Sequence, residues 1–379
     1  MMIKIIADDK IPFLRGVLEP YAVIKYLPGR QIDWELLPDA EALLIRTRTK
    51  CTKSLLKDTR VRFIGTATIG FDHIDTRFCD SHGIKWTNAP GCNSSSVQQY
   101  IAAALLKMSL DFRFSLKDKT LGIIGVGNVG SKVEKLAKAL GMRVLLNDPP
   151  RAKKEGEKLF VDLETVLRES EIVTLHVPLN IVGEDKTYHL INEKTIKKMK
   201  KGVWFINSSR GEVAETSAVK KALDTGRFSG AVIDVWENEP DLDIELMHKT
   251  FIATPHIAGY STDGKANGTA MIVNALAGFF KLPLNDWYPG QIPGPQNPVI
   301  SINGKGKNDE SVIGEAIAHT YNISEDDLKL RFSPADFEKE RGDYPVRREF
   351  SSFEINIKNG TKKVLSTLGE LGFTVNRPF

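Results

Sequence analysis

Short apolar runs alternate with segments of helical spacing along most of this chain. Runs that are apolar throughout are typical of parallel strands buried on both faces of a sheet. Within the first 100 residues, such runs span 2–7, 42–46, 61–65 and 84–86. A second series lies further along, at 121–124, 143–147, 171–175, 203–206, 230–234 and 251–253. Strands that alternate with helices in this way predict an α/β fold with parallel sheets.

A glycine-rich turn follows the first strand of the second series. Gly125, Gly127 and Gly130 form a G-x-G-x-x-G pattern that opens a predicted helix over 128–140, and Asp148 closes the next apolar run. In a dinucleotide-binding turn the first glycine permits the bend, the second admits a pyrophosphate and the third lets the helix pack on the strand. An acid about 20 residues further on accepts hydrogen bonds from the adenosine ribose. The pattern therefore predicts a Rossmann-like domain that binds NAD rather than NADP.

The position of this turn inside the chain predicts how the domains are organised. A doubly wound NAD-binding domain over 99–256 would be inserted into a second doubly wound, substrate-binding domain formed by 1–98 and 257–282. The segment 257–280 has helical spacing and would return as a helix to complete that second domain. The two domains would thus share an α/β, Rossmann-like architecture.

A third region follows a segment rich in proline and glycine at 283–298, which is typical of a linker. We predict a small α+β domain over 283–379, with a strand at 299–302, a helix near 309–321 and a strand–helix–strand unit over 353–375. So small a unit buries little surface alone. We therefore expect it to be a dimerisation domain that pairs with a second copy of the chain.

The composition does not indicate a nucleic acid, a membrane or a metal ion as a further binding partner. The 379 residues are 41% hydrophobic and 26% charged, as in ordinary globular proteins, and the net charge of +4 is too small to indicate nucleic acid. No apolar run reaches the ~18 residues of a membrane span. Cys51, Cys79 and Cys92 show neither metal-binding spacing nor an even number for a disulfide framework. We expect a cytoplasmic protein that binds no metal, nucleic acid or membrane.

Polar groups follow three strands of the second series. Arg210 lies in the segment 207–211, two acidic residues lie in the segment 234–240, and His256 lies in the segment 254–260. Ligands of open α/β sheets bind outside the carboxyl ends of the strands. These groups are therefore expected to converge on one crevice.

These motifs, in this order, resemble those of the D-isomer-specific 2-hydroxyacid dehydrogenases over residues 40–280. Further strings resemble one branch of that family, the erythronate-4-phosphate dehydrogenases, over nearly the whole chain. They are Gly65–Asp75, Ala89–Asn93, Asn147–Arg151, Asp234–Pro240, His256–Tyr260 and Arg347–Ser352. The resemblance implies NAD-dependent oxidation of a small phosphorylated 2-hydroxy acid by a homodimer, in the synthesis of pyridoxal 5′-phosphate (vitamin B6).

The reaction requires a base for the hydroxyl proton, and histidine suits that role because its pKa lies near neutrality. We assign His256 as this base and Glu239 as the carboxylate that orients it. Glu237 competes with Glu239, and the Glu-Pro pattern favours Glu239. Arg210 is expected to bind the substrate carboxylate, because its planar fork fits that group.

The resemblance implies further cofactor contacts. They are expected from Asn128, Val129, Val177, Asp234 and Gly259, in addition to the glycines and the acid of the fingerprint. Val177 stands where the family has threonine, so only a backbone contact is expected there. Three other histidines, His73, His82 and His176, are lesser candidates for the base, and His176 is expected to frame the cofactor cleft.

For the substrate contacts, the sequence does not decide which arginines bind the phosphate. The resemblance implies contacts from Thr47, Thr68 and Tyr260, and Arg46, which follows the apolar run 42–45, is a cationic candidate for the phosphate. Arg347 and Arg348 are either ligands of the substrate phosphate, in the same or a partner subunit, or ordinary surface charges. Nothing places a base beside Cys92, so we interpret its turn as a backbone contact for the substrate carboxylate.

Three functions remain open on these residues. The first is oxidation of 4-phospho-D-erythronate to 2-oxo-3-hydroxy-4-phosphobutanoate. The second is the activity of 3-phosphoglycerate dehydrogenase or of another 2-hydroxyacid dehydrogenase, which uses the same catalytic groups. The third is NAD sensing by a binding protein similar to the C-terminal-binding transcriptional corepressors.

Overall fold

Within the residues described by the computed structural model, 2–284 and 286–376, all paired strands run parallel. The strands are β1 (Ile3–Asp8), β2 (Ala22–Leu27), β3 (Ala42–Ile45), β4 (Phe63–Thr66), β5 (Lys85–Thr87), β6 (Thr120–Ile124), β7 (Arg143–Asn147), β8 (Ile172–Leu175), β9 (Val203–Asn207), β10 (Phe228–Ile233), β11 (Ile252–Ala253), β12 (Val299–Asn303), β13 (Glu354–Lys358) and β14 (Thr374–Asn376).

The helices lie between these strands, as the α/β prediction requires. They are α1 (Lys53–Leu56), α2 (Thr76–Ser81), α3 (Ser94–Phe112), α4 (Asn128–Ala139), α5 (Pro149–Glu155), α6 (Leu163–Glu169), α7 (Glu193–Lys198), α8 (Thr216–Asp224), α9 (Ile244–Lys249), α10 (Thr262–Phe280), α11 (Asp309–Thr320), α12 (Ile323–Phe332), α13 (Phe337–Gly342) and α14 (Lys362–Leu371).

Two compact units make up the chain, one of Met1–Asn93 with Ser261–Pro293 and one of Ser94–Tyr260 with Gly294–Phe379. Along the chain, residues 94–260 interrupt the first unit and residues 261–293 interrupt the second. The insertion and the division into three domains stay predictions, because compactness joins the region after Gly294 to the unit of Ser94–Tyr260.

The first unit contains a five-stranded sheet in the order β2-β1-β3-β4-β5. Helix α10 packs Ile272, Val273 and Leu276 against one side of this sheet. The prediction that 257–280 is one helix was wrong at its start, because α10 begins at Thr262, where the Ser261 hydroxyl accepts a hydrogen bond from the Gly264 amide.

The second unit contains a six-stranded sheet in the order β11-β10-β9-β8-β6-β7. All six strands were predicted from their apolar runs, and most of their residues are buried. Since the strands are parallel, their carboxyl ends lie on one edge of the sheet. The glycine-rich turn and the three polar segments all follow strands of this sheet.

The end of the second unit holds a three-stranded sheet in the order β12-β13-β14. Along β12 and β13 buried and exposed residues alternate, and the buried isoleucines pack on α11 and α14. Helices α12 and α13 were not predicted. No helix in the described ranges combines the length and apolar character of a membrane span.

Candidate active site

The glycine-rich turn after β6 is shaped by the lack of side chains. Gly125 has a φ of +88°, and a Cβ there would lie 2.6 Å from the His176 carbonyl oxygen. A Cβ on Gly130 would lie 2.1 Å from the Gly125 carbonyl oxygen, so α4 packs directly on the turn. Apart from its two chain neighbours, a Cβ on Gly127 would meet no atom of the described residues within 4 Å. The turn is therefore packed on its protein side and open at Gly127, as a pyrophosphate-binding turn requires.

Asp148 lies beside this turn at the end of β7. Its Oδ2 accepts a hydrogen bond from the Val126 amide at 2.8 Å, and its Oδ1 accepts one from the Arg151 amide at 3.0 Å. Arg151 in turn donates to the Val126 carbonyl at 2.5 Å, a contact that the sequence did not predict. The acid of the fingerprint is thus held next to the glycine turn.

The other predicted cofactor residues are divided between two places. Asn128 and Val129 open α4, and Val177 packs against Gly125, where its Cγ1 would lie 2.8 Å from an added Cβ. Asp234 lies instead directly after β10, and Gly259 lies in the turn that follows β11, among the predicted catalytic residues. Their contacts with NAD stay predictions.

Arg210 is placed by a turn that Asn207 organises. The Asn207 side chain donates to the Arg210 carbonyl at 2.9 Å and accepts from the Ser209 amide at 3.1 Å. Next to it, a Cβ on Gly211 would lie 2.0 Å from the carbonyl carbon of Trp236. The backbone of the Arg210 turn therefore touches the backbone of the segment that carries Glu239.

Glu239 is paired with His256. Its Oε2 lies 2.8 Å from His256 Nδ1, and its Oε1 accepts a hydrogen bond from the Trp236 amide at 2.9 Å. Burial is the largest single influence and acts to raise the pKa of this carboxyl, but the charge and hydrogen bond of His256, the Trp236 amide and the charge on Arg341 together lower the pKa of Glu239. An ionised carboxylate on Nδ1 leaves Nε2 as the nitrogen available for proton exchange.

Glu237 has a different partner. Its Oε1 lies 2.7 Å from His189 Nε2, and its Oε2 accepts a hydrogen bond from the Thr216 amide at 2.8 Å. Of the two competing glutamates, the structure therefore joins Glu239 to His256 and joins Glu237 to His189. No motif or spacing in the sequence predicted the pair of Glu237 and His189.

Asp234 stabilises the turn that carries His256. This buried carboxylate accepts hydrogen bonds from the Thr254 hydroxyl at 2.7 Å and from the amides of Ile257 and Ala258 at 2.8 and 3.0 Å. Burial is the main reason that the pKa of Asp234 is raised. His256 itself has a φ of +57°, in the left-handed region that few side chains adopt.

Tyr260 ends the same turn and packs against residues of the last region. Its ring meets that of Tyr344 edge to face at 5.8 Å, and the guanidinium carbon of Arg341 lies 5.6 Å from its centroid. The charge on Arg341 also contributes to the lowered pKa of Glu239. Sequence reasoning missed Arg341, because nothing in its charged surroundings, Glu338–Asp343, distinguishes it from surface residues.

The two predicted phosphate ligands differ in environment. Arg347 is buried at 5% exposure and donates to backbone carbonyls of the His256 turn, whereas Arg348 is half-buried and its carbonyl accepts a hydrogen bond from Gln99. Arg347 is therefore not an ordinary surface charge. A phosphate contact by either arginine stays a prediction.

Arg46, Thr47 and Thr68 lie in the first unit, at the carboxyl ends of β3 and β4. Ile45 pairs with Thr66 across these strands, so Thr47 and Thr68 each lie two residues beyond a matched pair. The Thr68 hydroxyl bonds to the Thr66 hydroxyl at 2.7 Å and donates to a carbonyl at 2.9 Å. These substrate contacts stay predictions.

The lesser candidates occupy other settings. His73 Nε2 bonds to the Thr66 hydroxyl at 3.1 Å, and His82 stacks on Phe78 at 3.9 Å. His176 lies behind the glycine turn, and burial lowers its pKa to about 3. All three cysteines, Cys51, Cys79 and Cys92, are buried.

Comparison with known proteins matches this arrangement to NAD-dependent dehydrogenases. Residues 97–258 match the NAD-binding domain of the D-isomer-specific 2-hydroxyacid dehydrogenases, and residues 292–372 match a domain family of unknown function. The six-stranded sheet with its glycine turn therefore forms an NAD-binding domain.

Curated relatives are similar over nearly their full length. The erythronate-4-phosphate dehydrogenase of Bacteroides fragilis is 48% identical over 355 residues, which cover 93% of this chain and 99% of that protein. The enzyme of the same name from Bacteroides thetaiotaomicron is 49% identical over 358 residues, with coverage of 93% and 99%. That from Proteus mirabilis is 41% identical over 373 residues, which cover 98% of both chains.

Solved structures match about three quarters of the chain. D-lactate dehydrogenase from Aquifex aeolicus, in complex with NAD and lactic acid, aligns with a TM-score of 0.62 and 29% identity, covering 73% of this chain and 95% of that one. A glyoxylate/hydroxypyruvate reductase from Sinorhizobium meliloti aligns with a TM-score of 0.65 at 19% identity, over 78% of this chain and 100% of that one. The second match shows the fold alone.

Proposed function

We propose that this chain, which belongs to the erythronate-4-phosphate dehydrogenase family of D-isomer-specific 2-hydroxyacid dehydrogenases, oxidises 4-phospho-D-erythronate at C2 with NAD. The product would be 2-oxo-3-hydroxy-4-phosphobutanoate. The observation that carries the proposal is the 2.8 Å bond between Glu239 and His256 Nδ1, beside the turn of Arg210, in a chain 48% identical to an enzyme of this name.

The protein residues divide the work of the reaction. His256 Nε2 accepts the proton of the C2 hydroxyl, while Glu239 holds the ring and stabilises the imidazolium that forms. Arg210 binds the substrate carboxylate through its planar fork. The glycine turn and Asp148 would hold NAD, which would supply the hydride acceptor for C2. His256 returns its proton to solvent after the product leaves.

The contacts of the substrate phosphate belong to this proposal as well. Thr47 and Thr68 offer hydroxyls at the ends of neighbouring strands, and Arg46 follows β3 directly. Tyr260 and Arg348 complete the set of proposed substrate contacts, whereas Arg347, which is buried against the His256 turn, is not part of it. Asp148 is the proposed ribose contact that favours NAD over NADP.

Steady-state rates with two acids test the substrate. We expect kcat/KM with NAD to be higher for 4-phospho-D-erythronate than for 3-phosphoglycerate. Equal or better turnover of 3-phosphoglycerate would contradict the proposal. NAD binding without turnover of any 2-hydroxy acid would favour a cofactor-sensing protein instead.

The cellular role has its own test. We propose that the product feeds the synthesis of vitamin B6 in the cytoplasm, where the three reduced thiols would persist. Disruption of the gene should then create a need for pyridoxine. Growth without the supplement, in cells that lack a second such enzyme, would count against this role.

We also propose that the last region joins two copies of the chain. One face of its three-stranded parallel sheet is exposed, with Ser301, Asn356 and Lys358 among the outward residues, although parallel sheets are normally covered on both faces. A second copy would cover this face.

The oligomeric state in solution tests this pairing. Ser301→Arg, in the exposed sheet face, should shift the protein from dimer to monomer in light scattering. Ser366→Arg, on the exposed side of α14 in the same domain, is the matched control and should leave the dimer intact. A wild-type monomer, or equal effects of the two variants, would contradict the proposed interface.

A further inference from the structure

We infer that Arg347 is a positioning residue for the base His256, and that it acts by holding the backbone turn on which His256 stands. The inference rests on the proposed function only in taking His256 as the base. Arg347 is not itself placed against the reacting atoms.

The contacts of Arg347 are with the two peptide groups that follow His256. Its Nη2 donates to the Ile257 carbonyl at 3.1 Å and to the Ala258 carbonyl at 2.6 Å. The Ser96 hydroxyl, at the start of α3, donates to the same Ala258 carbonyl at 2.8 Å and also accepts a hydrogen bond from Arg347 Nη2. The guanidinium thus ties α3 to the His256 turn.

The amides of the same two residues face the opposite charge. Asp234 accepts hydrogen bonds from the amides of Ile257 and Ala258. The turn therefore runs between a buried carboxylate on its N–H side and a buried guanidinium on its carbonyl side, which matches the direction of the peptide dipoles. Both charges are in the protein interior, where such bonds are stronger than in water and an unmade one is costly.

Arg347 is itself held rigidly. Its guanidinium carbon lies 4.4 Å from the centroid of the Tyr321 ring, and Nη1 donates to the Tyr344 hydroxyl at 3.3 Å. The hydroxyls of Tyr321 and Tyr344 both donate to Asp326, at 2.9 and 2.6 Å. A buried carboxylate therefore balances the cation through two tyrosines, and the whole group anchors the turn.

This anchor comes from another part of the chain than the base. His256 lies within residues 97–258, which match the dehydrogenase domain, whereas Arg347 lies within residues 292–372, which match a separate domain family. The last region thus acts on the catalytic geometry in addition to its proposed role in pairing. A displacement of about 1 Å at a reacting group can cost about 100-fold in rate.

Arg347→Met tests the inference, because methionine fills similar space without donors. We expect kcat to fall by about 100-fold with little change in the Kd for NAD. Arg347→Lys, which keeps the charge but loses the fork, should recover part of the rate. The fall should be equal for 4-phosphoerythronate and for unphosphorylated erythronate, because positioning of the base does not depend on the phosphate.

Arg331→Met is the matched control. Arg331 also lies in the last region and also donates to backbone carbonyls, those of Met247 and Thr250 at 2.8 and 2.9 Å, but these residues are at the end of α9. Its substitution should lower thermal stability as Arg347→Met does, and should leave kcat within about twofold. A similar loss of kcat in both variants would reduce the role of Arg347 to stability and overturn the inference.

A different pattern identifies a phosphate ligand. If Arg347→Met raises KM for the phosphorylated acid alone and spares erythronate, Arg347 binds the phosphate and the positioning role is wrong. If Arg347→Met does not fold, Ser96→Ala removes the second donor to Ala258 and should show the same substrate-independent loss of kcat at smaller size. A folded Ser96→Ala protein with unchanged kcat would then contradict the inference.

A readout without turnover separates this inference from the proposed function. The ring-proton resonance of His256, assigned by its loss in His256→Asn, should move in Arg347→Met and stay in place in Arg331→Met. If the wild type oxidises neither acid, the proposed function fails while this measurement still decides the positioning role. An unchanged resonance in Arg347→Met would overturn the inference whatever the substrate.

Discussion

The turn after β6 and the turn after β11 both follow buried strands of one sheet, yet opposite means hold them in shape. The first depends on missing side chains, since a Cβ on Gly125 or Gly130 would lie within 2.6 Å of backbone atoms. The second depends on side chains from other parts of the chain, because Asp234 binds its amides and Arg347 binds its carbonyls. The cofactor turn is thus shaped locally, and the catalytic turn is shaped by tertiary contacts.

This difference follows from what each turn must do. A pyrophosphate needs free backbone amides and open space, which glycine provides without any partner. A base needs one fixed orientation, and His256 has a φ of +57° that its own residue type favours only weakly. Surrounding groups must therefore stabilise that conformation.

The sharpest way to separate the two turns is to remove the base. His256→Ala should lower kcat by about 10²- to 10⁴-fold, because general base catalysis contributes about that much, and should leave NAD binding unchanged. His256→Asn controls for the backbone, since asparagine tolerates the left-handed region. Stopped-flow rates and a fluorescence titration of the cofactor check both. Unchanged turnover would place the base elsewhere.

A methyl group added to the cofactor turn should instead weaken NAD binding. Gly130→Ala places a Cβ 2.1 Å from the Gly125 carbonyl oxygen. Relieving such an overlap costs about 1–3 kcal/mol, so we expect NAD affinity to fall by about 10- to 100-fold together with thermal stability.

Gly127→Ala is the matched control for the space at that turn. Its Cβ would meet no protein atom within 4 Å, so thermal stability should be unchanged while NAD binding weakens. Gly130→Ala with normal NAD affinity, or Gly127→Ala that binds NAD as the wild type does, would contradict the assignment of this turn.

Substitution of Asp148 tests the proposed ribose contact beside the cofactor turn. Asp148→Ala removes the proposed ribose acceptor and its charge, so the preference for NAD over NADP should fall by about 10-fold, a size typical of one hydrogen bond to a charged group. Asp148→Asn keeps an acceptor and isolates the charge. The ratio of kcat/KM values for the two cofactors is the measurement, and a constant ratio would remove Asp148 from the ribose site.

The smallest effect is expected in stability at low pH, from the histidine behind the cofactor turn. Burial lowers the pKa of His176 to about 3 from 6.5, so the unfolded chain binds a proton more readily and stability falls as pH drops below about 6.5. At pH 5.5 this loss amounts to about 1.4 kcal/mol relative to neutral pH. His176→Gln should remove that component of the acid sensitivity in urea unfolding. Equal slopes for both proteins between pH 7.5 and 5.5 would contradict it.

Strands were predictable where burial on both faces left an unbroken apolar run. Strand β2 was missed because its sequence, Ala22–Leu27, mixes lysine and tyrosine with apolar residues at the edge of its sheet. Helices α12 and α13 were missed because they are charged and show little apolar spacing. In both cases the elements are stabilised by neighbours that the local pattern does not reveal.

The start of α10 shows the converse error. Ile257 and Ala258 are apolar and buried, so they extend the helical spacing backwards from Thr262. They are buried because they belong to the His256 turn, where Asp234 and Arg347 bind their peptide groups. The spacing of apolar residues indicates which positions are buried, and burial alone does not distinguish a packed turn from a helix.

Among the site residues, the local pattern was sufficient for the glycines, because their role depends on the backbone of their own turn. The Glu-Pro pattern favoured Glu239 over Glu237, but the physical reason for that choice comes from the fold, which brings Glu239 to 2.8 Å from His256 Nδ1. The local pattern left Arg347 as either a phosphate ligand or a surface charge, whereas the fold buries it against the catalytic turn. Glu239 and His256 are 17 positions apart and Arg347 and Ile257 are 90 apart, and only chain packing can bring such pairs together.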